Sequence, residues 1–166
     1  MLGKYENFPT TIHFLKKFSS TCNIKQLQQK LVQTLKELNR KTVHFEEISI
    51  PTIPNSEIIF EFGIAEKENF NFIDEQEVNR VLNILGKSSL DFFCIIRYYK
   101  HNLEKKTALK FDYYIFRTKF AAKEIEIQVF HKQGLRYITP EEFVTMIINK
   151  INKTTNKKIL HEKTES

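Results

Sequence analysis

One short stretch, Lys123–Phe130, constrains the fold more than any other part of the chain, because from Glu124 to Val129 its side chains alternate strictly between polar and apolar. The polar members are Glu124, Glu126 and Gln128, and the apolar members are Ile125, Ile127 and Val129. Successive side chains of a β-strand point to opposite faces, so a period of two gives this strand one polar and one apolar face. The apolar face predicts contact with a core. The polar face is either solvated or lines a polar cavity.

Five further runs predict strands in the rest of the chain. Phe92–Lys100 and Ala108–Lys119 are rich in the aromatic and β-branched residues that suit a half-buried pleated surface. Thr11–Phe18, Thr42–Ile50 and Glu57–Ile64 are the other three. Most connections between these strands are short, which favours antiparallel pairing.

Helix start signals occur three times, each as a polar N-cap followed three residues later by Glu or Gln. The pairs are Asn23 with Gln26, Asp74 with Glu77, and Thr139 with Glu142. Apolar residues at helical spacing follow each pair, and the first of these helices is predicted over Ile24–Asn39. The second ends at Gly86, a natural helix stop.

These elements predict an α+β protein with an antiparallel β-barrel or strongly curved sheet of six to eight strands. Three amphipathic helices pack outside the sheet. Residues 1–152 form a single domain, and 153–166 form a basic, disordered tail because they lack an apolar stripe and are dense in Lys, Asn and Thr.

Composition bounds the class of partner and the compartment. The net charge of +6 gives a mild attraction to polyanions such as nucleic acid or phosphorylated ligands. The two cysteines have no metal-ligand spacing. Neither a signal-peptide pattern nor an apolar run of about 18 residues is present, so the sequence predicts a cytoplasmic or nuclear protein with no membrane partner.

Several segments resemble the triphosphate-tunnel superfamily. They are TIHFLKKF with NIKQLQQKLVQTLKELN, the helix VNRVLNILG, and the strands KFDYYIFR and KEIEIQVF. That superfamily includes the CYTH enzymes and the β-barrel RNA triphosphatases, and the Mediator head-module subunits look like its non-enzymatic relatives. The resemblance implies a closed antiparallel barrel whose polar lumen carries opposed Lys/Arg and Glu side chains, with a place in transcription machinery if the Mediator likeness holds.

The resemblance also implies which side chains bind the ligand. These are Arg97, Lys100, Lys110, Arg117, Glu124 and Glu126. A triphosphate needs Arg and Lys from several strands, and Arg grips phosphate bidentately. Mg²⁺ or Mn²⁺ needs carboxylate oxygens beside the phosphates, and the enzyme alternative assigns that role to Glu57, Glu61, Glu124 and Glu126.

The first strand departs from the enzyme pattern, because Thr11–Leu15 contains no carboxylate where the enzymes carry Glu-x-Glu. We therefore expect a non-catalytic module without a cofactor, which binds a phosphorylated small molecule or a protein partner. Two alternatives stay open. One is a metal-dependent triphosphatase or cyclase-like enzyme of the same superfamily, and the other is a basic nucleic-acid-binding domain.

Overall fold

The computed structural model describes residues 3–5, 7–48, 56–66, 69–73, 87–102, 105–155 and 158–163. This part of the chain contains ten strands, two α-helices and one 3₁₀ turn. The strands are β1 (Gly3–Lys4), β2 (Phe14–Ser20), β3 (Thr42–His44), β4 (Ser56–Glu66), β5 (Asn69–Phe72), β6 (Ser89–Asn102), β7 (Lys105–Ala108), β8 (Asp112–Ala121), β9 (Glu124–Gln133) and β10 (Leu160–Glu162). The helices are α1 (Ile24–Leu38) and α2 (Pro140–Thr154), and the 3₁₀ turn is Phe45–Glu47.

All ten strands belong to one sheet, and every strand pairing in it is antiparallel. The strand order is β1-β5-β4-β6-β8-β9-β2-β10, with β3 added to β4 and β7 added to β6. The predicted α+β class with an antiparallel sheet is therefore confirmed. Among the described strands no pairing joins β1 to β10, so these pairings do not close a barrel. The four strands that the sequence did not predict, β1, β5, β7 and β10, have two to four residues each.

Both described helices begin at the predicted caps. Asn23 Oδ1 accepts a hydrogen bond from the Gln26 amide at 2.8 Å. At α2, Thr139 Oγ1 accepts from the Glu142 amide at 3.2 Å, and Glu142 Oε1 accepts from the Thr139 amide at 2.9 Å. These bonds satisfy amides that have no partner within the helix. The helix predicted from Asp74 to Gly86 lies outside the described residues.

The main core lies between the two helices and one side of the sheet. Helix α2 contributes its whole predicted stripe, namely Phe143, Val144, Ile147, Ile148 and Ile151. From β9 the three apolar residues of the alternating stretch, Ile125, Ile127 and Val129, are buried in the same core. The prediction that they pack beneath helices is confirmed. Burial of this apolar surface is the main stabilising contribution, at about 25 cal/mol per Å² removed from water.

The described residues of the C-terminal segment, 153–155 and 158–163, depart from the predicted disordered tail. Helix α2 continues to Thr154, and Leu160–Glu162 pair as β10 with β2. Ile159 is 4% exposed and Leu160 is 1% exposed. Asn152 ties β10 to the end of α2, because its Oδ1 accepts from the amides of Ile159 and Leu160 at 3.0 and 2.9 Å. Two apolar residues are too few to produce a periodic pattern, so a sequence pattern does not predict this strand.

Two predicted strands are shorter than the sequence suggested. In the run Ala108–Lys119, Ala108 ends β7, residues 109–111 lie outside the strands, and β8 begins at Asp112. The run Thr42–Ile50 stops at His44, where a 3₁₀ turn directs Phe45 into the core with 1% of its surface exposed. There the change of backbone direction serves one inward-pointing side chain, which a propensity pattern does not reveal.

Candidate functional site

The side of the sheet that faces away from α1 and α2, called the distal face here, carries most of the predicted site residues. Strand alternation assigns to it Leu15, Lys17 and Ser19 of β2, Glu57, Ile59 and Glu61 of β4, Asp91, Phe93, Ile95, Arg97 and Tyr99 of β6, Tyr113, Ile115, Arg117 and Lys119 of β8, and Glu124, Glu126, Gln128, Phe130 and Lys132 of β9. The polar row of the alternating stretch therefore lies opposite the helices.

Two of the predicted ligand-binding arginines are held by carboxylates of the same chain. Arg117 Nε and Nη2 donate to Asp91 Oδ1 and Oδ2 at 2.7 and 2.9 Å, in a bidentate pair between β6 and β8. Arg97 Nε donates to Glu61 Oε1 at 2.7 Å, between β6 and β4. The bond from Asp91 raises the pKa of Arg117 further above its ordinary value. Both guanidinium groups are thus already matched by an acid in the free protein.

The two glutamates of β9 are engaged as well. Glu126 Oε2 accepts from Gln128 Nε2 at 2.7 Å, and Lys17 Nζ lies 3.9 Å from Glu126 Oε1. Glu124 Oε2 accepts from Lys163 Nζ at 3.2 Å. Gln128 is only 6% exposed, so its amide is a buried part of this row. The row is polar, and its carboxylates face cations from two neighbouring strands and the C-terminal segment.

The distal face is close to electrical balance. On β2, β4, β6, β8 and β9 its five described cations are Lys17, Arg97, Arg117, Lys119 and Lys132, and its five described acids are Glu57, Glu61, Asp91, Glu124 and Glu126. These ten charges cancel, and Lys163, which reaches Glu124 from the C-terminal segment, leaves a net charge of +1. Little of the overall charge of +6 therefore comes from these residues.

A second apolar cluster lies on the distal face beside the ion pairs. Its buried members are Phe70, Phe93, Ile95 and Ile115, and half-buried aromatic residues surround them. The Phe93 ring lies edge-on to Phe70 at 5.1 Å and stacks with Tyr113 at 6.0 Å between centroids. Arg97 also lies over the ring of Phe111 at 5.9 Å. Arginine and aromatic side chains are the residues most enriched at protein interfaces.

The N-terminal segment crosses this face. We call Tyr5 and residues 7–13 the N-terminal crossing; it begins beside β5, where β1 pairs, and ends at His13, whose amide donates to the Val129 carbonyl of β9 at 2.8 Å. The Tyr5 hydroxyl donates to Asp91, and the Tyr5 ring lies 4.6 Å from that of Phe70. The Phe8 ring lies 4.7 Å from the Arg117 guanidinium carbon. Burial, followed by the bond to Asp91, raises the pKa of Tyr5 far above its ordinary value.

The remaining predicted residues are dispersed. Lys100 lies at the end of β6 on the side of Tyr98, which is the helix-facing side, and Lys110 is exposed between β7 and β8. Glu57 is opposite Tyr99, four residues along β4 from Glu61, the acid that is bonded to Arg97. In the described part of the chain no group of three or more His, Cys, Asp or Glu side chains could hold a metal ion. The structure therefore joins Arg97 to Glu61 but does not gather the four predicted metal-binding glutamates into one group.

A buried polar centre, which the sequence analysis missed, lies on the helix-facing side of the sheet. Asp112 is fully buried, and four groups donate to its carboxylate: the hydroxyl of Tyr98, the Nε2 of His131 and the amides of Arg136 and Tyr137. Arg136 Nε donates in turn to His131 Nδ1 at 3.1 Å. All four of these donors belong to the protein itself, and two of them are backbone amides of the loop after β9. The hydrogen bonds therefore hold that loop against Asp112. In the sequence, the sign of this centre is one Asp beside the aromatic residues of β8.

A separate cleft of about 600 Å³ lies between α1, α2 and the 3₁₀ turn. Leu38, Phe60 and Met146 form its apolar floor, while Glu47, Glu141 and Lys150 are among its charged lining residues. No predicted site residue lines it. Its charged lining is mixed, with Glu47, Glu141 and Glu142 beside Lys150 and Lys153, so it does not present a purely cationic phosphate site.

Comparison of the chain with protein-family models, curated proteins and solved structures finds no match. The resemblance to the triphosphate-tunnel superfamily therefore stays a prediction. Within the described residues, neither helix is long and apolar enough to cross a membrane.

Proposed function

We propose that the protein is a non-catalytic binding module and that its distal face binds a protein partner. The near balance of charge on that face carries this proposal, because the five cations of its strands are matched by five acids on the same strands, and Lys163 is paired with Glu124. A triphosphate or a nucleic-acid backbone requires an excess of positive charge at the contact surface. A protein surface requires complementary charges of both signs together with aromatic anchors.

The two arginine pairs support the same proposal. A phosphate that took Arg117 would have to displace a bidentate carboxylate, and Asp91 would then remain partly buried beside the incoming anion. Leaving a charge without its partner in such a position costs several kcal/mol, roughly 3–5 kcal/mol where burial is complete. A phosphate site built on these arginines would therefore begin with an energetic penalty that a protein partner avoids.

Photo-cross-linking from defined positions tests the proposal. A photoreactive phenylalanine analogue replaces Leu15 or Lys119, which are exposed on the distal face, and in matched controls it replaces Lys25 or Thr145, which are exposed on the helices. In extracts of the source cells we expect a discrete adduct with the same protein from both distal positions and none from the helical ones. Adducts from the helical positions alone would contradict the proposal.

Calorimetry and a turnover assay separate the alternatives. At about 0.15 M salt we expect no measurable binding of tripolyphosphate, since the Debye length is then roughly 8 Å and no local excess of positive charge attracts it. Tripolyphosphate binding that Arg117→Ala abolishes would favour the phosphorylated-ligand alternative. Release of phosphate from ATP or tripolyphosphate with Mg²⁺ or Mn²⁺, lost in Glu126→Gln, would instead make the protein an enzyme.

A further inference from the structure

The N-terminal crossing is held on the distal face by three side chains, those of Tyr5, Phe8 and His13. At its start β1 contributes only two residue pairs to β5. At its end the His13 amide bonds to β9, and the His13 ring stacks on Phe130 at 5.1 Å. Among the described residues, the backbone of 7–12 makes no hydrogen bond to the sheet. Tyr5 and Phe8 therefore make the contacts between the first part of the crossing and the face around Asp91 and Arg117.

The surface under these two side chains offers a specific set of contacts. The carboxylate of Asp91 accepts the phenolic hydrogen of Tyr5, and Phe70 lies against the ring of the same residue. Phe8 takes the neighbouring position, over the guanidinium of Arg117. The Asp91–Arg117 pair thus presents its acid to a tyrosine hydroxyl and its cation to an aromatic face, which are both favourable partners in a partly desolvated site.

The spacing of the two aromatic residues fixes the form of the ligand. Tyr5 and Phe8 are three residues apart, and an extended chain spans at most about 10 Å over that distance. Just before the crossing, β1 pairs with β5 at the edge of the sheet. Extended peptides commonly bind proteins in the same way, by adding a strand to the edge of a sheet. The ligand chemistry read from this site is therefore an extended peptide with Tyr at one position and Phe three residues later.

We propose that the Asp91–Arg117 pair and the adjoining aromatic cluster form a binding site for such a peptide segment of a protein partner, and that the N-terminal crossing occupies this site in the free protein. The inference rests on the proposed function, since it assigns the partner's contact to one part of the distal face. The partner binds by displacing Tyr5 and Phe8. Its apparent affinity is therefore reduced by the fraction of molecules in which the crossing is in place.

A labelled peptide of this chain's own residues 1–13 provides the probe, and fluorescence anisotropy reports its binding to full-length protein. We expect the double variant Tyr5→Ala/Phe8→Ala to bind the peptide at least tenfold more tightly than the wild type, because a tethered segment competes at an effective concentration in the millimolar range. The matched control Thr10→Ala/Thr11→Ala changes two exposed residues of the crossing and should bind the peptide as weakly as the wild type. Adding Asp91→Ala to the Tyr5/Phe8 variant should abolish binding, and so should replacing both aromatic residues of the peptide by Ala.

Equal affinity of the wild type and the Tyr5/Phe8 variant, with both shown to be folded by circular dichroism, would overturn the inference. Peptide binding that Asp91→Ala leaves intact would overturn it as well. If the double variant does not fold, Phe8→Ala alone decides the question, with at least threefold tighter binding expected. Cross-linking from Lys119 without any peptide binding would reject this inference and leave the proposed function standing, whereas peptide binding without a cross-linked protein would reject the proposed function.

Discussion

His131 Nε2 donates a hydrogen bond to Asp112 Oδ1 at 2.8 Å, although the two residues are not opposite each other in the sheet. The register pairs His131 with Tyr114, at a point where the pairing of β8 and β9 shifts by one residue. Because the carboxylate can only accept, this bond places the imidazole proton on Nε2 and leaves Nδ1 to accept from Arg136. The irregularity in the sheet thus orders the buried centre around Asp112.

Removing the charge of Asp112 should destabilise the protein strongly. In Asp112→Asn the amide nitrogen replaces one carboxylate oxygen and faces the two groups that donate to that oxygen, so a backbone amide, of Arg136 or of Tyr137, loses its acceptor. We expect a loss of about 3 kcal/mol in the free energy of unfolding, measured by urea titration. The control Glu124→Gln breaks a partly exposed pair with Lys163 and should cost less than about 1 kcal/mol. Equal losses for the two variants would contradict this account of Asp112.

Gly134 has little tolerance for a side chain, because it closes the turn over the same carboxylate. Its φ is +116°, and a Cβ built there would lie 2.2 Å from Asp112 Oδ1 and 2.5 Å from the Phe111 carbonyl oxygen. Backbone strain of this kind costs about 1–3 kcal/mol. Thermal unfolding of Gly134→Ala should show that loss, while Gln133→Ala, an exposed neighbour, should unfold within a degree or two of the wild type. A Gly134→Ala midpoint equal to that of Gln133→Ala would count against the close approach.

The C-terminal strand should contribute to stability, contrary to the prediction of a disordered tail. Leu160 is buried against the main core, so Leu160→Ala should cost about 2–5 kcal/mol in the free energy of unfolding. His161 is exposed on the same strand, and His161→Ala should change it little. The comparison uses urea unfolding of both variants. If Leu160→Ala were as stable as His161→Ala, β10 would contribute nothing measurable.

The features that could be predicted from the sequence are those that a few consecutive residues determine. The caps at Asn23 and Thr139 and the two faces of β9 follow from spacing within one element, and all three are confirmed. The pairing of Arg97 with Glu61 joins residues 36 positions apart. It depends on β4 lying beside β6, and an order of strands in which chain neighbours are separated cannot be deduced from local patterns.

The same dependence on strand order limits how much of the candidate site could be predicted from the sequence. The alternation in β9 predicts that Glu124 and Glu126 share a face, but not which cations reach that face. Lys163 comes from a strand-forming end that the sequence suggested was disordered, and Tyr5 reaches Asp91 across 86 positions of the chain. Charge matching between distant strands depends on the strand register, so the near balance of charge on the distal face could be recognised only once the register was known.

The pH dependence of stability should contain a contribution from His13. Partial burial, followed by the charges of Arg136 and His131, lowers the pKa of His13 below its ordinary value of 6.5. His13 Nδ1 also accepts from the His131 amide at 2.9 Å, and a proton on Nδ1 breaks that bond. Between the lowered folded pKa and 6.5 the unfolded chain binds more protons than the folded one, so stability falls as the pH drops through this window.

Replacing His13 by Asn should remove this part of the acid sensitivity, because the Asn side-chain oxygen can accept the same amide without titrating. Urea midpoints measured from about pH 7.5 to about pH 5 should therefore decline less steeply in His13→Asn than in the wild type. His161→Asn, which changes an exposed histidine and keeps His13, should retain the wild-type slope. Parallel pH profiles for His13→Asn and the wild type would show that protonation of His13 costs no stability, and that His13 does not couple folding to pH.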